Sequence, residues 1–212
     1  NMFLDIIALF VSFLCLIITV MTIGSYWFQK KINTPFIIII LFVGIQRFQS
    51  SLTNLNLVEL KSPFEEFPLF ALIFIPLFLY FFKTSTEEKN ISRKDLAHFI
   101  LPIILISLKK LGLLSELMSR VIFFLFCFSY WILIFFIIID YYKKTISKYS
   151  FSKINLRWLI LMFSNVTLIM FFLNYKVLYW DLNQSDSSLT NFYRGSSILW
   201  VISLTYLILN PI

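Results

Sequence analysis

The chain has 212 residues, of which 59% are hydrophobic, 19% aromatic and only 14% charged. Soluble domains average roughly 45–50% apolar and about 25% charged residues, so this composition excludes a soluble enzyme, a disordered tail and a disulfide scaffold. The formal net charge of +7 is compatible with nucleic acid or anionic lipid as a partner, or with the basic cytoplasmic loops of a membrane protein.

Seven apolar stretches approach the roughly 20 residues that a helix needs to cross a bilayer. In chain order the predicted spans are residues 3–27, 35–55, 67–82, 95–114, 121–142, 158–175 and 192–209. The apolar runs are continuous and do not alternate, which disfavours barrel strands. We therefore predict an all-α, polytopic membrane protein that forms a single domain over residues 1–212, with the fourth segment as its weakest span.

Prolines mark several of these segments. Pro35 stands at the start of the second span, where its missing N–H costs nothing. Pro76 and Pro102 fall inside the third and fourth predicted spans, where the sequence predicts kinks. Ser92, with Asp95 three residues later, resembles a capping box that opens the fourth span.

The distribution of lysine and arginine predicts the orientation. With the N-terminus outside, the cytoplasmic connections carry eleven basic residues and the outer ones six, while acidic residues number four inside and seven outside. If the fourth segment did not cross, the totals would again be eleven and six. That topology would, however, translocate the five basic residues of 143–157, against the positive-inside rule. We therefore predict seven spans, with the N-terminus outside and the C-terminus cytoplasmic.

Arg47 is the most informative residue of the chain. It lies about twelve residues into the second span, roughly 18 Å from the inner end at 1.5 Å per residue. Gln46, Ser50 and Asn54 form a polar stripe beside it, and Ser51 follows Arg47 one turn later. Because a charge within the membrane is expensive, it indicates either a functional site or a buried structural pair.

Both interpretations of Arg47 stay open. Further polar groups lie in the outer half, either as lining of one cavity or as interhelical hydrogen bonds. They are Asn165 and Thr167 in the sixth span and Arg194, Ser196 and Ser197 in the seventh. The candidate counter-charges lie in the outer connections and are Glu65, Glu66 and Asp181. The candidate ligand-binding residues are Arg47, Gln46, Ser50, Ser51, Asn54, Asn165 and Arg194.

Few other residues offer chemistry. His98 is the single histidine, and it predicts either a proton relay or an interfacial histidine bonded to a neighbour. No second histidine or cysteine stands at ligand spacing, so no metal and no cofactor is predicted. Cys15 and Cys127 lie deep in apolar spans and are expected to pack without a disulfide. The chain has no HExxH or GxSxG motif and no Gly-rich interrupted helix, which argues against an enzyme and against a transporter.

Three stretches carry a resemblance: the run from the third span into the fourth, the segment SFSKINLRWL, and the terminal LILNPI. Their motif positions are Pro76, Tyr80, Lys83, His98, Pro102, Trp158, Asn210 and Pro211. Together they resemble the N-terminal membrane region of membrane-bound transcriptional regulators with an AraC-type helix-turn-helix domain, from Gram-negative bacteria.

The resemblance implies a sensor or anchor module in the cell inner membrane, surrounded by lipids. It would relay an envelope signal, from a small-molecule or protein ligand at the outer face, to a cytoplasmic DNA-binding domain following residue 212. DNA would be a partner only through that segment. Because the output domains of the family usually act as dimers, a homodimer is also implied. The alternative is an accessory integral-membrane subunit docked on a larger envelope complex, and a transporter has less support.

Overall fold

The computed structural model describes residues 2–29, 34–55, 57, 72–87, 95–146, 152–179 and 195–209. These ranges are almost entirely helical and contain no β-strand, which confirms the predicted all-α class for the described part of the chain. The α-helices there are α1 (Met2–Gln29), α2 (Thr34–Asn54), α3 (Phe74–Glu87), α4 (Ile100–Lys110), α5 (Glu116–Ile146), α6 (Ser152–Tyr179) and α7 (Ser197–Leu209). A 3-10 segment (Asp95–Phe99) leads directly into α4.

Four of these helices, α1, α2, α5 and α6, are long and apolar enough to cross a membrane, and α7 is a shorter apolar helix. Their length and composition are those of a membrane protein. Helices α3 and α4 have only 14 and 11 residues. Neither of them alone reaches the roughly 20 residues of a full span.

The two internal prolines lie in the first turns of the α-helices that contain them. Pro76 and Pro102 are each the third residue of an α-helix, since α3 begins at Phe74 and α4 at Ile100. The prediction that both prolines lie in helix interiors is therefore wrong. A proline in the first turn has no intrahelical N–H bond to lose, and the 3-10 segment ahead of α4 places Pro102 in that turn.

Helix α4 ends four residues before the predicted end of the fourth span. Gly112 adopts a positive φ of 72°, a conformation that glycine reaches without steric cost. Its N–H donates to the carbonyl of Lys109, and the N–H of Leu113 donates to the carbonyl of Leu108, both at 3.0 Å. This pair of bonds is a Schellman motif, which satisfies the last carbonyls of α4 and stops the helix.

Helix α5 begins earlier than predicted because a serine caps it. The Oγ of Ser115 accepts a hydrogen bond from the backbone N–H of Met118 at 3.3 Å, the geometry of an N-cap. The carboxylate of Glu116, in the first turn, pairs with Lys109 and with Arg120. The predicted fifth span started at residue 121, where the uninterrupted apolar run begins, so the polar first turn was missed.

The described chain forms two compact units. Unit 1 contains α1, α2, the first half of α6 up to Asn165, and α7. Unit 2 contains α3, the 3-10 segment, α4, α5 and the rest of α6 from Val166 onward. The single-domain organisation over residues 1–212 stays a prediction.

In unit 1, α1 packs along α2 and against α7. The two helices come close together at Gly44 of α2, where an added Cβ would lie 2.9 Å from the Cβ of Cys15. Small residues at such crossings let membrane helices approach closely. Trp158 packs edge-to-face on Phe36, with ring centroids 5.5 Å apart.

In unit 2, α3 packs along α5. The contact buries large aromatic side chains, among them Phe78, Phe81, Phe82 and Phe123, each at most 2% exposed. The contact between α3 and α5 thus involves large aromatic side chains, whereas the α1–α2 crossing involves small residues.

A substitution at Gly44 tests the α1–α2 crossing. Gly44→Ala should lower the free energy of unfolding by about 1–3 kcal/mol, because the new methyl overlaps Cys15 in a tight contact. Gly24→Ala is the matched control, since nothing lies within 4 Å of the Cβ it would add, and it should be neutral or slightly stabilising. SDS-induced unfolding followed by tryptophan fluorescence measures both. If the crossing is as close as described, adding Cys15→Gly to Gly44→Ala should recover part of the stability that Gly44→Ala loses. Equal stability of Gly44→Ala and Gly24→Ala would contradict the close contact.

Candidate functional site

The polar residues predicted on α2 differ in how deeply their side chains are buried. Arg47 and Ser51 are buried, at 2% and 0% exposure, whereas Gln46 and Ser50 are half-buried. The side chain of Asn54 lies outside the described residues. Spacing of four residues places Arg47 and Ser51 on one face of α2, and this is the face that packs inward in unit 1.

The guanidinium of Arg47 connects α2 to the start of α7. Its Nη2 donates a hydrogen bond to the Oγ of Ser196 at 2.9 Å, across 149 positions of sequence. Ser196 directly precedes α7, so a charge-assisted bond ties the first turn of that helix to α2. The adjacent Ser197 is fully buried.

A second polar contact connects α6 to α7. The Nδ2 of Asn165 donates to the Oγ of Ser203 at 2.6 Å and to the carbonyl of Leu161 at 3.1 Å. The Oγ of Ser203 in turn donates to the carbonyl of Leu199. Asn165 and Ser203 are buried, at 1% and 0% exposure, so these bonds satisfy groups that water does not reach.

We call these residues of unit 1 the polar core. Its members are Arg47, Ser51, Asn165, Ser196, Ser197 and Ser203. Within the described part of the chain, the Oγ atoms of Ser51 and Ser197 and the Oδ1 of Asn165 are buried without a hydrogen-bond partner. Such atoms are costly, and they are groups to which a polar ligand could bond.

The structure brings together part of the predicted ligand-binding set. Arg47, Ser51 and Asn165 belong to the polar core, while Gln46 and Ser50 lie at its margin on α2. Arg194 and the candidate counter-charges Glu65, Glu66 and Asp181 lie outside the described residues. The ligand-binding role of the whole set stays a prediction.

Sequence reasoning missed buried polar residues of unit 1, among them Ser203 and Asp5. Ser203 lies seven residues after Ser196, two helical turns along the same face of α7, and this spacing could have indicated it. Asp5 is buried at 3% exposure, although it was counted only as an outer acidic residue. Its spacing from Ala8 and Cys15, which are also buried, places it on the inward stripe of α1.

Residues of the resemblance motif have packing roles in unit 2. Tyr80 packs edge-to-face against His98, with centroids 6.0 Å apart. His98 Nδ1 lies 2.7 Å from the hydroxyl oxygen of Tyr130, which supports the interpretation of a histidine bonded to a neighbour. Lys83 pairs with Asp95 at 2.8 Å. Asn210 and Pro211 lie outside the described residues.

The arrangement is suited to binding more than to bond cleavage. A guanidinium presents planar N–H donors that match a carboxylate or phosphate, and serine hydroxyls can donate or accept. Among the described residues no group of three or more His, Cys, Asp or Glu side chains could hold a metal ion. Cys15 and Cys127 are buried free thiols.

The Asn165–Ser203 contact can be measured by a double-mutant cycle. Asn165→Ala and Ser203→Ala should each reduce stability, and the double variant should lose less than the sum, with a coupling of about 0.6 kcal/mol, typical of hydrogen bonds between membrane helices. Ser164→Ala is the control, because the Ser164 hydroxyl bonds only the carbonyl of Ile160 in its own helix. Additive losses in SDS-induced unfolding would argue against the contact.

A comparison with known proteins finds no matching family model, curated sequence or solved structure. The functional conclusion therefore depends on the geometry of the chain itself.

Proposed function

We propose that the chain is a sensor or anchor module of the cell inner membrane, with seven spans, an outer N-terminus and a cytoplasmic C-terminus. A ligand at the outer face acts on the polar core, and α7 passes the change to a cytoplasmic helix-turn-helix domain that follows residue 212. The resemblance to AraC-type regulators supports the proposal of a DNA-binding domain as the output. The long apolar helices α1, α2, α5 and α6 support the membrane setting.

The observation that carries the proposal is the hydrogen bond from Arg47 to Ser196. A buried cation in a membrane helix is a functional candidate by default, and this one holds the start of the last helix. A carboxylate or phosphate oxygen of a ligand would compete with the Ser196 hydroxyl for the guanidinium. Binding would then favour a second position of α7, and helix shifts of about 1–2 Å are a known route of signalling.

The proposed topology makes specific demands on the short helices. At 1.5 Å per α-helical and 2.0 Å per 3-10 residue, α3 is about 21 Å long, α7 about 20 Å and the 3-10 segment with α4 about 26 Å. All three are shorter than the roughly 30 Å hydrocarbon core. Local thinning of the bilayer or flanking residues would complete these three crossings, at a cost of fractions of a kcal/mol per Å.

Reporter fusions test the topology. Alkaline phosphatase fused after residue 115 should be active, and green fluorescent protein fused after residue 147 or residue 212 should fluoresce, because 115 is then outside and the others are cytoplasmic. A phosphatase fusion after residue 57 is the control, since it is active whether or not the fourth segment crosses. Inactive phosphatase at 115, together with non-fluorescent fusions at 147 and 212, would contradict the seven-span arrangement.

A chimera tests the sensor function. Residues 1–212 are placed before a cytoplasmic helix-turn-helix domain with a known promoter, and transcription is measured. Ser196→Ala and Arg47→Gln remove the same hydrogen bond from its two ends, so both should change transcription in the same direction by about threefold or more, the effect of a ~0.6 kcal/mol bond on a two-state equilibrium.

The control for the chimera is Ser164→Ala, which removes a hydroxyl from unit 1 without touching the Arg47–Ser196 bond. It should leave transcription unchanged. Unchanged transcription in all three variants at equal protein abundance would remove the polar core from signalling. The reading frame after Ile212 tests the output independently, since the proposal requires a helix-turn-helix domain there.

A second candidate is an accessory subunit of an envelope complex. The observation in its favour is a ladder of stacked aromatic rings on α5 that joins Phe124, Phe128, Trp131 and Phe135, with interplanar angles of 4° to 13° between neighbours. Phe124, Phe128 and Phe135 are exposed, so the ladder presents a stiff aromatic surface for a helix of a partner. Purification with a stoichiometric partner, lost in Phe128→Ala, would favour this function.

A further inference from the structure

A cavity of about 410 Å³ opens in unit 2 between α3, the 3-10 segment and α5. Its volume lies within the roughly 300–1,000 Å³ that small-molecule sites occupy. The cavity shares no residue with the polar core of unit 1 and plays no part in the sensor function proposed above. Its lining contains two lysines and two aspartates together with apolar residues.

The two walls of the cavity change from apolar to charged in the same direction along the chain. On α5 the lining face begins with Leu133 and Phe136 and ends with Asp140 and Lys144. On α3 the corresponding change is from Leu79 to Lys83. A site that is apolar at one end and charged at the other fits an amphipathic ligand.

The apolar end of the cavity faces outward. Phe136 is 61% exposed and Leu133 is 44% exposed, and both belong to a helix that is long and apolar enough to cross a membrane. In a bilayer these side chains meet acyl chains. The charged end lies at the C-terminal end of the same helix, next to Lys143, where a spanning helix meets the headgroup region.

The charges at this end are balanced. Lys83 pairs with Asp95 at 2.8 Å, and Lys144 pairs with Asp140 one turn earlier on α5. A ligand with only negative charge would meet two carboxylates beside the two ammonium groups, and a cation would meet the reverse. A zwitterion satisfies both, since its anionic oxygens accept from the lysines while its cation donates to the aspartates.

The cationic half of this zwitterion is identified by its partners. Carboxylates accept N–H hydrogen bonds, which a primary ammonium offers and a quaternary ammonium does not. Quaternary groups are bound by cages of aromatic faces, whereas the charged end of this lining presents the carboxylates of Asp95 and Asp140 beside the rings of His98 and Tyr141. The cavity therefore favours a primary amine.

We propose that this cavity binds the headgroup and first methylenes of a phospholipid that carries a phosphate and a primary ammonium, as phosphatidylethanolamine does. The phosphate accepts hydrogen bonds from the ammonium groups of Lys83 and Lys144, and the lipid ammonium donates to the carboxylate of Asp140. The acyl chains leave along Leu133 and Phe136. The proposal requires the membrane setting and is independent of the sensor function.

Native mass spectrometry of the full chain tests this proposal. The protein is reconstituted in nanodiscs of equal parts phosphatidylethanolamine, phosphatidylglycerol and phosphatidylcholine with identical acyl chains, and the lipids retained after release are counted. The expected result is one retained lipid, with phosphatidylethanolamine favoured over each competitor by about fivefold, the effect of one additional charge-assisted hydrogen bond at a partly exposed site. No retained lipid, or equal retention of phosphatidylglycerol, would overturn the proposal.

Two matched substitutions locate the lipid. Lys144→Gln should lower retention of phosphatidylethanolamine about fivefold, whereas Lys143→Gln, which removes the same charge from the neighbouring exposed position outside the cavity lining, should not. Asp140→Ala should remove the preference over phosphatidylcholine, because alanine offers no oxygen to accept the N–H groups that a primary ammonium has and a quaternary ammonium lacks. Equal effects of Lys144→Gln and Lys143→Gln would show a nonspecific surface charge effect and overturn the site.

Two further measurements test whether Lys144→Gln still folds and whether the bound headgroup belongs to a lipid or to a soluble molecule. Lys144 is 69% exposed in its side chain, so Lys144→Gln should retain the wild-type unfolding midpoint. Soluble glycerophosphoethanolamine, added at the lipid concentration, should not displace the retained lipid, since it lacks acyl chains for the apolar end. Displacement at equal concentration would reassign the cavity to a soluble zwitterion and overturn the lipid assignment.

Discussion

The hydrocarbon core of a bilayer offers no hydrogen-bond partner, so every polar atom that enters it must find one within the protein. This constraint explains why the described chain is helical, since a helix satisfies its own backbone. It also explains the hydroxyl side chains, many of which bond a carbonyl one turn back in their own helix. Thr19 bonds Cys15, Thr84 bonds Tyr80 and Ser129 bonds Leu125 in this way.

Two longer polar side chains of unit 1 also form hydrogen bonds that join helices. The guanidinium of Arg47 reaches Ser196, and the amide of Asn165 reaches Ser203. Both bonds end on α7 or directly before it, so the last helix of unit 1 is positioned by polar contacts from α2 and α6. A ligand that competes for either bond would therefore act first on the position of α7.

Unit 2 meets the constraint in another way. The charged groups at the C-terminal ends of α3 and α5 include the ion pairs Lys83–Asp95 and Lys144–Asp140, and large aromatic side chains are buried in its interior. The cavity between these helices is therefore amphipathic along its length. The polar core of unit 1 and the cavity of unit 2 differ in chemistry, since one is neutral apart from a single buried cation and the other presents balanced charges.

The sequence by itself determined the helical class, the positions of the long apolar helices and the burial of Arg47, because length, hydropathy and the cost of an intramembrane charge are local properties. It misplaced the end of α4 and the start of α5, since Gly112 acts through its backbone conformation and Ser115 through a side-chain cap, and a hydropathy window registers neither. Only the tertiary structure decided that Arg47 meets Ser196, that Asn165 meets Ser203 and that Lys83 and Lys144 line one cavity. These partners are distant in sequence, and helical spacing predicts which face a residue occupies but not which other helix packs against that face.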